Sequence, residues 1–224
     1  MITKRFLSIL LAISAVGVSA QNLDWGVRTG IELEKKLNKK WEIGLGGEYR
    51  WKEGMSLTDQ VRGTFDAGYK PLKFLKLGAG YELIADKKQK RDIFLYRHRF
   101  KLDATGSFKY QRFTMSWRPR LQVTFYDDDD VGDDELDNYR WVLRNRFGLN
   151  YNIRNVPLKP YVRIEIYNRV FSNPDYYKNR FSTGLEYTIA KQHEIDLGYK
   201  RDSEISNGTK SYFDVLEVKY KYSF

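Results

Sequence analysis

The end of the chain alternates between apolar and polar residues from position 216 to position 224. One face consists of Leu216, Val218, Tyr220, Tyr222 and Phe224, and the other of Glu217, Lys219, Lys221 and Ser223. A repeat of two residues is that of a β-strand with one apolar and one polar face. An aromatic-faced strand is a liability at the edge of a soluble sheet, whereas a β-barrel pairs its last strand with its first and leaves no edge. We therefore expect 216–224 to be the closing strand of a barrel.

The same alternation recurs along the chain and gives eleven segments. They are 24–36, 41–51, 61–69, 75–85, 92–104, 112–125, 139–151, 160–170, 180–189, 193–201 and 216–224. Most are about ten residues long, which is the length of a tilted strand that crosses a bilayer. Trp41 and Trp51 bracket the second segment as an aromatic girdle would, and short turns alternate with longer polar loops. The pattern predicts an all-β fold, an antiparallel transmembrane β-barrel.

The number of segments conflicts with a general rule. Single-chain bacterial barrels have an even number of strands. Either 24–36 is not a full strand of the barrel wall, which leaves ten strands, or one of the eleven segments contains two strands, which gives twelve. We expect 10–12 strands and favour twelve.

The N-terminus has the organisation of a secretory signal peptide. Lys4 and Arg5 precede an apolar run, and small residues at 18–20 form a cleavage site. Removal of residues 1–20 would leave 21–224 as one outer-membrane β-barrel domain. No later apolar run is long enough to predict a transmembrane helix. The chain has no cysteine, which excludes disulfides, thiolate metal sites and thiol nucleophiles.

The charge balance is basic. The formal net charge of the whole chain is +10, and without the two basic residues of the signal peptide it is +8. An exported protein does not meet nucleic acid. The excess of basic residues is therefore expected to interact with lipopolysaccharide phosphates, with anionic solutes or with the protein's own acidic side chains. The mean hydropathy of −0.62 fits a barrel, in which only alternate residues meet lipid.

Charged residues fall on the inner faces of the predicted strands and separate into two walls. The predicted basic wall consists of Arg97, Arg99, Lys101, Arg112, Arg118, Arg120, Arg140, Arg144, Arg146 and Arg163. The predicted acidic positions are Glu48, Asp66, Glu82, Asp103, Glu165 and Glu186. Rings of arginine and lysine select anions, which predicts an anion-conducting or anion-binding passage. The alternative is a narrow lumen that is filled by paired side chains.

An acidic loop at 127–138 contains eight carboxylates in twelve residues. Carboxylate oxygens suit Ca²⁺, and Asp127, Asp129 and Asp133 are the candidate ligands for a weak site. The spacing departs from an EF-hand because Val131 occupies the fifth position. We expect a solvated loop, no metal and no cofactor.

The two histidines, His98 and His193, limit any catalytic hypothesis. Counting residues across the hairpins places Gly80 on one side of His98 and Trp117 or Arg118 on the other, with no outward serine beside it. Serine–histidine chemistry needs such a pair. A hydrogen bond to a neighbouring tyrosine is the simpler role for His98, and we expect the protein not to be an enzyme.

Several blocks of sequence carry a family resemblance. They are W-G-V-R-T-G-I-E-L-E-K-K-L-N-K-K-W from Trp25, L-K-F-L-K-L-G-A-G-Y at 72–81, Y-R-H-R-F at 96–100, L-R-N-R-F at 143–147, Y-N-I-R-N-V-P-L-K-P-Y at 151–161 and the Y-K-Y-S-F end. Together they resemble an uncharacterised family of domains of unknown function in Bacteroidetes-type bacteria. The resemblance implies an outer-membrane barrel and no assigned activity. Tyr220, Tyr222 and Phe224 also resemble the signal that barrel-assembly machinery reads.

The sequence thus predicts a non-enzymatic outer-membrane protein of a Gram-negative cell, either structural or a narrow porin-like passage with an arginine-rich lumen. The expected partners are outer-membrane lipid, lipopolysaccharide and the barrel-assembly machinery, and nucleic acid is not expected. One alternative is a lipid-modifying outer-membrane enzyme. The other is a soluble periplasmic lipocalin-like binding barrel, which would require apolar residues inside.

Overall fold

The structure, a computed structural model, describes residues 24–126, 138–171, 175–206 and 209–224. Within these ranges the chain forms eleven β-strands. They are β1 (Asp24–Lys36), β2 (Trp41–Lys52), β3 (Leu57–Leu72), β4 (Leu75–Lys88), β5 (Ile93–Tyr110), β6 (Phe113–Phe125), β7 (Tyr139–Tyr151), β8 (Leu158–Arg169), β9 (Asp175–Ala190), β10 (His193–Ser206) and β11 (Thr209–Ser223). The predicted signal peptide lies outside the described residues. In the described part of the chain, no helix is long and apolar enough to cross a membrane.

The strands form one closed barrel in which each strand pairs with the next along the chain. These pairs are antiparallel, and the barrel closes through a parallel ladder between β1 and β11, in which Arg28 lies beside Glu217. Every predicted segment overlaps an observed strand, and the closed β-barrel is confirmed. The eleven strands lie within the expected range of 10–12, but the preference for twelve is not met, because an odd number of hairpin-connected strands closes through a parallel pair and still leaves no edge unpaired.

The two faces of the wall differ in chemistry. Large apolar side chains point outward and are exposed, among them Leu45 on β2, Leu102 on β5 and Ile164 on β8. Charged side chains alternate with them and point into the lumen, where Glu165 and Glu217 are each only 3% exposed. This arrangement is the reverse of a soluble lipid-binding barrel, which keeps its apolar residues inside.

Aromatic residues form a girdle near each end of the outer surface. At one end the rings of Trp41 and Tyr69 lie 4.6 Å apart, and at the other those of Tyr49 and Trp51 lie 4.3 Å apart. Trp41 and Trp51 are ten residues apart on β2. With a rise of about 3.4 Å per residue and a tilt of about 45°, the girdles are separated by about 24 Å along the barrel axis. This matches the height of the apolar band of a membrane barrel, about 25 Å.

The two ends of the barrel are built differently. The turn end carries the short connections that follow β1, β3, β5, β7 and β9, together with the last residue, Phe224, whose backbone N–H donates to the carbonyl of Glu34 at 2.9 Å. The Asn38 side chain accepts from the backbone N–H of Lys40 and Trp41 and fixes the first turn. The loop end carries the remaining connections and Asp24, because β1 runs parallel to β11.

Candidate functional site

A polar cavity of about 1050 Å³ occupies the lumen. Residues from all eleven strands line it. The lining extends from Asp24 and Asp59 at the loop end to Glu42 and Lys76 at the turn end. The lumen is therefore not filled by its side chains, although eight-stranded barrels generally are.

Glycines on the inner faces make room for the charged side chains. A Cβ atom at Gly78 would lie 3.0 Å from the Asp103 carboxylate, and one at Gly80 would contact Asp66 and Lys101. A Cβ atom at Gly198 would lie 2.7 Å from the Tyr161 hydroxyl. The lumen geometry thus depends on positions that carry no side chain.

Nine of the ten residues of the predicted basic wall lie on the inner faces of four adjacent strands, β5 to β8. They are Arg97, Arg99, Lys101, Arg118, Arg120, Arg140, Arg144, Arg146 and Arg163. Arg112 is the exception, and its placement in the wall is wrong. The strand before it extends to Tyr110, so that Arg112 lies exposed in the two-residue turn between β5 and β6.

The six predicted acidic residues also lie on inner faces, and each forms an ion pair with a base. The pairs are Glu48 with Arg50, Asp66 with Lys101 at 3.1 Å, Glu82 with Arg62 at 2.8 Å and Arg99 at 3.2 Å, Asp103 with Arg120 at 2.9 Å, Glu165 with Arg144, and Glu186 with Arg163 at 2.6 Å. Breaking one partner of a buried pair typically costs about 3–5 kcal/mol, which applies to these pairs except that of Asp66, whose side chain is half exposed. These pairs hold the wall side chains in place.

The opposite wall contains further ion pairs beyond the predicted basic wall and acidic positions. Lys200 donates to Glu217 at 2.6 Å, and the guanidinium of Arg180 donates to both carboxylate oxygens of Asp202. Lys178 lies 2.9 Å from Asp202. Lys178 was missed because the predicted ninth strand began at 180. Extending the alternation of inner and outer positions by two residues would have found it.

Two arginines of the basic wall differ from the others. Within the described residues, Arg118 and Arg146 have no carboxylate within ion-pair distance, and the Nε atom of each is buried without a hydrogen-bond partner. They are cross-strand neighbours on β6 and β7, and both line the cavity. The cavity therefore presents two adjacent cations that no acid of the described chain neutralises.

The outer surface supplies a partner for His98. Its Nδ1 lies 2.8 Å from the hydroxyl of Tyr81. Its cross-strand partners are Leu83 and Phe125, so the expected neighbours Gly80 and Trp117 or Arg118 are wrong. The proposed tyrosine hydrogen bond is confirmed. His193 lies by the turn end, 2.6 Å from the hydroxyl of Tyr220.

The predicted calcium ligands, Asp127, Asp129 and Asp133, lie outside the described residues. Among the residues that the structure does describe, no cluster of histidine or carboxylate side chains could hold a metal ion. The six predicted lumen acids form ion pairs with lysine or arginine instead.

Comparison with models of known protein families assigns the chain to a family. A family model described as "Protein of unknown function (DUF2490)" matches residues 25–212. The chain belongs to the DUF2490 family. This confirms the expected membership of a family of unknown function and assigns no activity. The match begins within β1 and ends within β11, so it includes all of β2 to β10 and part of each closing strand.

Other comparisons with the DUF2490 chain are less informative. A search of curated proteins gives no match. Among solved structures, a porin refined at 1.8 Å resolution is 14% identical, with a TM-score of 0.35. The aligned region covers 84% of this chain and 59% of the porin. The DUF2490 chain thus spans less than two thirds of the length of that porin.

Proposed function

We propose that this DUF2490 protein is an outer-membrane β-barrel whose lumen is a narrow aqueous passage for small solutes, with a preference for anions. The observation that carries the proposal is the charged cavity, which extends between both ends of a closed wall with an apolar outer face. In a bilayer, a closed barrel satisfies every backbone hydrogen bond and leaves polar groups only on the inside.

The size of the cavity limits what the passage can carry. Spread over a bilayer core of about 25 Å, a volume of about 1050 Å³ gives a mean cross-section of roughly 40 Å². This is room for small ions and small polar solutes. It fits an eleven-stranded wall, between the filled eight-stranded barrels and the wide sixteen-stranded channels.

The charge of the walls favours anions. Within the described residues, the inner faces of β5 to β8 carry mainly arginine and lysine, while the opposite wall mixes acids and bases. Excess positive charge in a narrow passage lowers the electrostatic barrier for anions and raises it for cations.

A structural barrel that conducts nothing is the second candidate, because the ion pairs across the wall would also stabilise a closed lumen. We propose no catalytic role. Lipid and lipopolysaccharide are the partners we propose for the apolar surface, and the barrel-assembly machinery is the partner we propose for Tyr220, Tyr222 and Phe224.

Planar-bilayer recording of the purified protein tests the passage. We expect discrete channels whose reversal potential in a KCl gradient indicates chloride preference. Gly44 faces the cavity, and its Cβ position has no neighbour closer than 3.7 Å, so Gly44→Trp should lower the conductance by about half or more.

Gly63 provides the matched control. It lies on the outer face of the next strand, and a Cβ atom there would have no neighbour within 4 Å. Gly63→Trp should leave the conductance unchanged. Absence of channels from folded wild-type protein would reject the passage and leave the structural role.

A further inference from the structure

The ladder between β6 and β7 brings four arginines together on the lumen face. Arg118 pairs in register with Arg146, and the next inward step pairs Arg120 with Arg144. Directly opposed side chains in an antiparallel ladder have Cβ atoms about 4.5–5.5 Å apart, and like charges at this distance repel. An arrangement of this kind requires a source of negative charge.

The pair Arg120 and Arg144 is neutralised by carboxylates of the protein. Arg120 donates to the Asp103 carboxylate through Nε and through Nη2, at 3.2 and 2.9 Å. Arg144 donates to Glu165. Arg118 and Arg146 have no ion-pair partner in the described chain, and each leaves a buried Nε–H without an acceptor. A buried donor without an acceptor is destabilising, more so when it carries charge.

The nearest acid in register, Glu165, does not neutralise Arg118 or Arg146. Glu165 is the β8 partner of Arg146. Its carboxylate already accepts from Arg144 and from the Tyr167 hydroxyl at 2.8 Å, and Arg180 lies 3.8 Å away. Arg163, next along β8, is held by Glu186 and stacks over the Tyr161 ring at 3.8 Å. The acids around the pair are therefore occupied by other bases.

A second pair of opposed arginines in the same lumen is neutralised by acids of the chain. Arg28 and Arg50 are cross-strand partners on β1 and β2. Arg28 lies 3.8 Å from Asp202, and Arg50 donates to Glu48. This pair is neutralised from within the chain, unlike Arg118 and Arg146.

We propose that Arg118 and Arg146 form a binding site for a small oxyanion, such as sulfate, phosphate or a carboxylate, in the lumen whose passage we proposed above. Guanidinium groups present planar pairs of N–H donors that match the spacing of two oxygens on one anion. A bound oxyanion would offset the positive charge of the two guanidinium groups and relieve the repulsion between the arginines. Chloride is a single atom and cannot match two N–H donors of one guanidinium with two separate acceptor atoms.

Isothermal titration of sulfate into the folded barrel in detergent tests the site directly. In low-chloride buffer we expect saturable binding of one sulfate per barrel. Arg118→Gln with Arg146→Gln should weaken binding by at least about tenfold, because the charge-assisted contacts are lost. Arg118→Lys with Arg146→Lys keeps the charge without the fork and should give an intermediate affinity.

The control removes the same number of arginines from the opposite wall. Arg28→Gln with Arg50→Gln should change sulfate affinity by no more than about threefold, because those arginines already form ion pairs with acids of the chain. Heat-dependent gel mobility verifies that each variant is folded. If the double glutamine variant of Arg118 and Arg146 does not fold, the sulfate affinity of the double lysine variant still tests the site.

The outcomes separate the two proposals. Absence of saturable sulfate binding to the wild type, equal binding by the lysine variant and the wild type, or equal losses in the β6–β7 and β1–β2 variants would overturn the oxyanion site. Binding without conductance would retain the site and reject the passage. Conductance without binding would do the reverse.

Discussion

At the scale of single residues, Tyr161 shows how the inner wall is packed. Its side chain is 2% exposed, its hydroxyl donates to Asp196 at 2.8 Å, and its ring lies over Gly184 and Gly198 on the two following strands. Two glycines on adjacent strands thus create the space for one large polar ring. The sequence shows the glycines, but the pairing with Tyr161 requires the register.

Gly184→Ala should therefore destabilise the barrel. The added Cβ atom would lie 2.6 Å from the Tyr161 hydroxyl and would also contact the backbone carbonyl of Leu197, which cannot move aside. Overpacking of this kind costs about 1–3 kcal/mol. Gly63→Ala, on the open outer face, is the matched control and should be neutral. Urea unfolding measures the difference, and equal midpoints for the two variants would refute the packing role.

His98 shows how far residue-level prediction extends. Its outward position follows from the two-residue repeat, which fixes the face of each side chain, and that face also carries tyrosines. Its cross-strand neighbours do not follow from the repeat, because they depend on where each turn lies. The predicted fifth strand ended at 104, whereas β5 runs to Tyr110, and the error shifts the whole ladder with β6.

At the scale of the strands, the closure between β1 and β11 is the element that the sequence could not decide. Local alternation identified both strands, but their pairing is between distant parts of the chain. Lys221 on β11 lies 2.7 Å from Glu34 and 3.5 Å from Glu32 on β1, so ion pairs reinforce the seam. Opposite charges at the two ends of the chain are consistent with this pairing, although they do not specify its direction.

A disulfide tests the parallel closure, because the chain has no cysteine of its own. Thr29 and Val218 are partners in the β1–β11 ladder, and neighbouring strands lie within the reach of a disulfide, about 7 Å between Cα atoms. Thr29→Cys with Val218→Cys should form an intramolecular bond on oxidation, seen as a faster band on a non-reducing gel.

The control pair shares one cysteine. Thr29→Cys with Tyr222→Cys is four residues out of register, about 13 Å along the strand, and should remain reduced. Cross-linking of the control but not of the first pair would contradict the observed register, and a ten-stranded wall without β1 would cross-link neither.

At the scale of the whole molecule, the barrel reverses the usual distribution of polarity. The basic net charge and the mean hydropathy of −0.62 belong to the whole chain, in which the polar residues of the lumen and the loops outweigh the alternate apolar residues of the outer surface. Alternation was enough to predict this reversal and the inward position of the charged residues. It did not predict their mixing, because Asp103 and Glu165 lie on β5 and β8 among the arginines of the basic wall. It could not show which arginines lack acids, since that depends on side chains from three or more strands meeting across the lumen.

Cell fractionation with gel mobility tests most directly whether the apolar surface lies in a membrane. Leu45 and Leu37 are similarly exposed, at 57% and 54%, but Leu45 lies within the apolar band and Leu37 in the first turn. An arginine costs about 2–4 kcal/mol at the bilayer midplane and about 0–1 kcal/mol near an interface.

We expect the wild type and Leu37→Arg in the outer-membrane fraction, with a mobility shift on boiling, and we expect Leu45→Arg to be depleted from it. A wild-type protein in the soluble fraction without a shift, or equal behaviour of the two arginine variants, would contradict the membrane barrel.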